Sequence, residues 1–170
     1  VGANVVSSGT VGAALTASRA GVPAIAVSVA IDPRQAGRSA PFAGTRDAFD
    51  PAADLVVEVV RQLAETGGAG LLPPRAILNI NYPAIGADEP DGVRFATVSS
   101  LRGFRQVFSV AGTSGPARVE MALANVDRAE EGSDLALLDA GFVTISVLDG
   151  DMDAGRESWE PLLERLIIER

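Results

Sequence analysis

A junction between a loop and a helix near the start of the chain carries the residues best suited to chemistry. Asn4 precedes the triplet Ser8, Gly9 and Thr10, and small helix-forming residues follow at 11–17. The first N–H groups of a helix lack intrahelical partners and carry partial positive charge from the macrodipole. A glycine lets an anion approach those N–H groups and two hydroxyls add donors, so the spacing is typical of a phosphate site. The same residues also allow a plainer interpretation, in which Ser8 only caps a structural helix.

The residues after this junction predict half of an α/β unit. Gly21 and Pro23 end the helix, and residues 24–29 form an apolar, β-branched run with the length of a buried strand. A helix, a short loop and a buried strand are typical of α/β folds, which bind ligands at loops and helix ends beside the sheet.

Several blocks of the sequence resemble the SurE family. The first block comprises GAN at 2–4, SGTVGAA at 8–14 and GVPAIAVS at 21–28, and the second is LPPRAILNINYP at 72–83. Shorter blocks follow, GSD at 132–134 and GFVTISVL at 141–148. The resemblance therefore spans nearly the whole chain.

The resemblance implies a three-layer, Rossmann-like α/β fold with a mixed sheet and a β-hairpin extension. It implies a metal-dependent nucleotidase that releases phosphate from nucleoside monophosphates. It assigns phosphate or substrate binding to Asn4, Ser8, Gly9 and Thr10, and it assigns no catalytic or metal-binding residue to this chain. The expected cofactor is a divalent metal, Mg or Mn.

Two features depart from the family pattern. SurE-like proteins hold the metal with an amino-terminal Asp-Asp pair, which is absent from this sequence, and their loop between the positions matching Asn4 and Ser8 is longer. We therefore interpret the chain as the carboxy-terminal part of a longer enzyme, with the metal ligands in an amino-terminal segment. The alternatives are a non-catalytic relative that binds phosphate or nucleotide or serves in assembly, and an unrelated α/β ligand-binding domain.

Length and composition indicate a single domain over residues 1–170, which the pattern and the resemblance assign to the α/β class. The net charge of −8 argues against binding to a nucleic-acid polymer, and no apolar run has the length of a membrane span. Cys and His are absent, which excludes thiolate chemistry, Ser-His-Asp hydrolysis and His-based metal sites within this sequence. We expect a cytoplasmic protein with a nucleoside monophosphate as its substrate.

The first half of the chain also contains a long loop, a helix and a strand. The loop at 30–48 carries Arg34, Arg38 and Arg46, which we interpret as solvated charges rather than ligands of an anion. A helix capped by Asp50 is predicted to run to Gly67, and a strand is predicted at 76–82. Asn79 and Asn81 of that strand share one face, where a structural role is favoured over a ligand-binding role.

The second half alternates apolar and polar residues at 93–98, 104–110 and 118–123, which predicts antiparallel strands. We interpret 93–123 as a hairpin arm that builds a homodimer or homotetramer, as in the resembling family, although the hairpin could also fold back on its own domain. A helix at 135–140, a strand at 142–148 and a final apolar-striped helix from Ser158 complete the prediction.

Overall fold

The computed structural model describes residues 1–31, 43–67, 70, 72–84, 89–110, 115, 117–123 and 128–151. A short 3-10 helix (Ala3–Ser7) opens the described part of the chain. Ten further helices and strands follow in this order: α1 (Gly9–Arg19), β1 (Ile25–Val29), α2 (Ala43–Asp47), α3 (Phe49–Thr66), β2 (Ala76–Tyr82), β3 (Val93–Phe95), β4 (Phe104–Val110), β5 (Ala117–Leu123), α4 (Asp134–Asp139) and β6 (Val143–Asp149).

Four strands form a mixed sheet in the order β1-β2-β6-β3. β1 and β2 are parallel, β2 and β6 are antiparallel, and β3 and β6 are parallel. Every residue of β2 is buried, as expected for a strand that has neighbours on both edges and helices on both faces. The predicted strands at 24–29, 76–82 and 142–148 are confirmed within one residue at each end.

Helices cover both faces of this sheet and give three layers. On one face, α3 packs over a core that includes Leu78, Ile80 and Ile145. On the other face, Val11 and Ala14 of α1 pack over a second core, with Ala26, Ile77 and Leu148 beneath them. Strand side chains alternate between faces, so β1, β2 and β6 contribute to both cores, whereas the residues of β3 are exposed. The predicted α/β class with a mixed sheet is confirmed.

The start of α3 differs from the prediction. Its N-cap is Ala48, which has right-handed helical angles and makes no side-chain capping bond, so the predicted cap at Asp50 was wrong. The N–H of Ala48 donates to the carbonyl of Gly44 in α2, at 3.2 Å, so the backbone enters α3 already helical. Asp50 lies in the first turn instead, where its charge favours the helix dipole. The predicted end is confirmed, because Gly67 adopts the left-handed conformation.

The predicted hairpin arm is shorter than 93–123. β3 pairs in parallel with β6 and belongs to the main sheet, so the interpretation of 93–98 as an antiparallel strand was wrong. The two-stranded antiparallel sheet comprises β4 and β5, in a register that places Phe104 opposite Leu123. Alternation reports a half-exposed strand but not the direction of its neighbour, which explains the error. The role of the arm in assembly stays a prediction.

Several predictions fall on residues outside the described ranges. These are the loop arginines Arg34 and Arg38 and the final helix from Ser158. The described part of the predicted loop at 30–48 contains α2, whose Arg46 is exposed. Among the described residues, no helix combines the length and apolar character needed to cross a membrane.

Candidate functional site

The start of α1 has the geometry of a capped helix. Ser8 is the N-cap, in extended conformation, and its Oγ accepts a hydrogen bond from the N–H of Val11 at 3.3 Å. Its carbonyl accepts the first intrahelical bond, from the N–H of Gly12 at 2.9 Å. These two bonds satisfy the donors of the third and fourth helical residues and leave those of the first two.

Gly9 and Thr10 supply the donors that remain open. Both residues are exposed, and no described residue accepts a hydrogen bond from their N–H groups or from the Thr10 hydroxyl. A Cβ built on Gly9 would meet nothing within 4 Å, so the surface above this turn is open. The first turn of α1 therefore presents two backbone donors and one hydroxyl to whatever approaches it.

The packing of α1 fixes the position of this turn relative to the sheet. Near the other end of the helix, Ser18 Oγ donates to the carbonyl of Ala76, the first residue of β2, at 3.2 Å. An α-helix of this length extends about 16 Å. Since α1 packs along β1 and β2, its first turn lies toward their carboxyl ends. Open α/β sheets bind ligands at that edge.

Asn4 has a well-defined structural role. Its side chain is buried, its Nδ2 donates to the carbonyl of Phe104 at 3.0 Å, and its Oδ1 accepts from the N–H of the same residue at 3.2 Å. The amide thereby mimics a strand neighbour and ties the 3-10 helix to the start of β4. The structure brings Ser8, Gly9 and Thr10 together in one turn, whereas it directs the Asn4 amide to β4. Phosphate binding by Asn4 stays a prediction.

Asp134 has an anchoring role that the sequence did not predict. It is fully buried at the start of α4, and its carboxylate accepts three backbone N–H bonds. Oδ2 accepts from Gly2 at 2.8 Å, and Oδ1 accepts from Ser99 and Leu135 at 2.9 Å each. Its position after the capping residue Ser133 has a local explanation in the helix dipole, so no sequence pattern indicated a hydrogen bond to Gly2.

Gly2 fits this anchor only because it has no side chain. Its φ is +53°, a conformation that L residues rarely adopt, and a Cβ here would lie 2.2 Å from the carbonyl oxygen of Leu101. The N–H of Ala3 donates to that same carbonyl at 2.8 Å. The loop that leads to the candidate site is therefore held by Asp134 on one side and by the 101–104 backbone on the other.

A second carboxylate, Glu130, organises the loop after β3. The hydroxyls of Ser100 and Ser99 donate to it, and so does the N–H of Ser100, at 3.0 Å. The hydrogen bonds from Ser100 and then Ser99 lower the pKa of Glu130 to about 2. Because Glu130 is exposed, we assign it to loop geometry rather than to chemistry.

The described residues do not by themselves fit a divalent metal. Within the described ranges, no group of three or more Asp, Glu, His or Cys side chains is placed to hold an ion. Asp134 is occupied by backbone N–H groups, and Glu130 by hydroxyls and one N–H. The implied metal therefore enters no step derived from these residues.

The fold defines a three-layer α/β protein, and the first turn of α1 leaves the backbone donors of Gly9 and Thr10 open. Comparison with known families agrees with this class. The family model described as Survival protein SurE matches residues 1–104, more than half of the sequence, and the chain belongs to the SurE family.

Individual relatives extend the similarity beyond that match. A protein of Thermus thermophilus named 5'-nucleotidase SurE 1 is 29% identical over 154 residues, which are 91% of this chain and 54% of the relative. A protein of Roseobacter denitrificans named 5'-nucleotidase SurE is 31% identical over 162 residues, which are 89% of this chain and 56% of the relative. The chain thus spans little more than half the length of these curated relatives.

A solved structure shows the same fold. The SurE protein from Aquifex aeolicus superposes with a TM-score of 0.61 and 22% sequence identity, over 97% of this chain and 60% of that one. This likeness confirms the SurE fold that the sequence resemblance implied.

Proposed function

We propose that this chain carries the phosphate-binding part of a phosphatase that hydrolyses nucleoside monophosphates. The observation that carries the proposal is the first turn of α1, where the N–H groups of Gly9 and Thr10 and the Thr10 hydroxyl are exposed and have no acceptor among the described residues. Relatives named 5'-nucleotidase support the reaction class. Because the chain spans little more than half of them, the activity of a whole enzyme is part of the proposal.

The proposed chemistry is hydrolysis of a phosphate monoester. The bond between phosphorus and the ester oxygen breaks, water supplies the new oxygen on phosphorus, and the nucleoside leaves with a proton. Donors at the start of α1 hold the non-bridging oxygens while charge on them is redistributed in the transition state. The chain has a net charge of −8, so these local donors, rather than an overall positive field, attract the substrate.

We also propose that the divalent ion implied by the SurE resemblance takes its ligands from outside the described residues. The support is that the described residues offer no cluster for it. When bound, such an ion would activate the attacking water and neutralise phosphate charge. Chelation and reconstitution with Mg or Mn in the full-length protein test this part of the proposal.

Thr10→Val tests the phosphate role. The exchange removes one donor with little change in shape, and Thr10 makes no side-chain hydrogen bond to a described residue, so we expect almost unchanged stability. Losing a donor that acts in the transition state should lower the kcat of the full-length protein on the order of 10²-fold. In NMR titrations of this chain with inorganic phosphate, the amide signals of Gly9 and Thr10 should shift.

Ser8→Ala provides the stability reference for the loss of a helix cap. It removes a helix cap, which should lower the free energy of unfolding by about 1 kcal/mol. A Thr10→Val protein that is destabilised to a similar extent but retains full turnover would contradict the proposal. Phosphate binding without release of phosphate from any nucleoside monophosphate would instead favour a non-catalytic relative that uses the site for binding or assembly.

A further inference from the structure

A ladder of four polar side chains lies on the sheet face that α1 covers. Register places Asn79 of β2 opposite Ser146 of β6, and Asn81 opposite Thr144. None of the four is more than 3% exposed. Strand alternation puts them on the same face as Ala26, Ile77 and Leu148, which pack under α1. Two consecutive cross-strand pairs therefore bury amides and hydroxyls inside the domain.

The two pairs differ in how they are satisfied. Asn81 Nδ2 donates directly to Thr144 Oγ1 at 3.4 Å. In the other pair, Asn79 Nδ2 and Ser146 Oγ make no hydrogen bond to any described residue, although the two residues are only 1% and 2% exposed. Buried polar atoms are paired in the great majority of cases, because leaving one unpaired costs its full desolvation penalty.

The surroundings of the unsatisfied pair are built from small residues. Asn79 has Ala26 as its register neighbour on β1 and Ser146 as its neighbour on β6. From the helix above, Val11 and Ala14 pack on this face. The neighbours of the Asn79 amide on the adjacent strands and on α1 thus include one small hydroxyl residue and two alanines. The site is polar, and this composition favours space for a single small ligand.

We propose that one ordered water molecule bridges Asn79 and Ser146 inside the domain. Asn79 Nδ2 donates to the water oxygen, and the same water forms a second hydrogen bond with Ser146 Oγ. Buried waters characteristically bond to two to four polar groups that would otherwise be unsatisfied, and such bridges are nearly as favourable as direct hydrogen bonds. With this water, both cross-strand pairs on this face are joined by hydrogen bonds, Asn81 and Thr144 directly and Asn79 and Ser146 through the water.

Ser146→Ala distinguishes a hydrated pair from a dry one. If the water is present, the variant deletes one of its anchors, and Tm should fall by about 2–4 °C, the shift expected for the loss of roughly one hydrogen bond in a domain of this size. If the pair is dry, the variant removes an unpaired buried hydroxyl, and Tm should stay unchanged or rise. Ser109→Ala, at an exposed position of β4, is the matched control and should leave Tm unchanged.

A crystal structure of the unaltered chain at high resolution gives an independent readout. We expect an electron-density peak within about 2.7–3.2 Å of both Asn79 Nδ2 and Ser146 Oγ. The peak should disappear or lose occupancy in Ser146→Ala. An empty space between the two side chains, or a direct hydrogen bond between them, would overturn the proposal.

Discussion

Asp134→Asn is the sharpest test of how the opening loop is held. The exchange keeps the shape of the side chain but turns one carboxylate oxygen into an NH2 group. The amide oxygen can keep the two bonds now made by Oδ1, from Ser99 and Leu135, and the NH2 group then faces the N–H of Gly2. One hydrogen bond is lost, two donors oppose each other, and the two remaining bonds lose their charged acceptor.

The magnitude follows from these three bonds. A hydrogen bond to a charged group contributes about 1.5–3 kcal/mol, and a neutral one about 0.5–1.5 kcal/mol. The lost bond and the two weakened bonds together cost more free energy than one hydrogen bond to a charged group contributes. Part of that loss is offset, because a neutral amide is less costly to bury than a carboxylate. We expect a net loss of about 2–4 kcal/mol in the free energy of unfolding. This is a large part of the total free energy of unfolding of a domain, which is about 5–15 kcal/mol.

The assay is urea unfolding at neutral pH, followed by circular dichroism. Asp139→Asn, at an exposed position of the same helix α4, is the matched control and should change the free energy by no more than about 0.5 kcal/mol. Equal unfolding midpoints for the two variants would refute the anchoring role of Asp134.

Two further predictions concern pH dependence and assembly. Hydrogen bonds from Ser100 and Ser99 lower the pKa of Glu130 from 4.5 to about 2, so the stability it contributes is present above pH 4.5 and lost as pH falls toward 2. Glu130→Gln should therefore flatten the acid limb of the stability curve in that window, and an unchanged limb would contradict this. We also expect this chain to form a homodimer or homotetramer through the arm at 104–123, since a two-stranded sheet needs a surface to pack on; light scattering that shows a monomer at micromolar concentration would refute it.

Local signals in the sequence were sufficient for the ends of α1 and for β2. The Ser8 cap and Gly21 affect only residues close to them in the sequence. Gly21 indeed has a φ of +81°. The apolar and amide run at 76–82 predicted a strand, and the structure confirms it, with every residue of β2 buried. Predictions of this kind depend on interactions between near neighbours in the chain.

Contacts between residues that are far apart in the sequence could not be predicted from local sequence patterns. The bond from Gly2 to Asp134 joins residues 132 positions apart, and the pair Asn4 and Phe104 joins residues 100 positions apart. Nothing local distinguishes an aspartate that serves the helix dipole from one that also anchors a remote loop. For the same reason, the parallel pairing of β3 with β6 could not be predicted from alternation alone.

The structural cap made by Ser8 and the proposed phosphate site would use different parts of the same hydroxyl. Capping uses an oxygen lone pair, which accepts from the N–H of Val11. The hydroxyl hydrogen is a donor, and a hydroxyl can donate and accept at the same time. A phosphate oxygen above the first turn would take that hydrogen together with the donors of Gly9 and Thr10. The cap therefore does not compete with the anion, because it orients the hydroxyl at the helix end where the anion would bind.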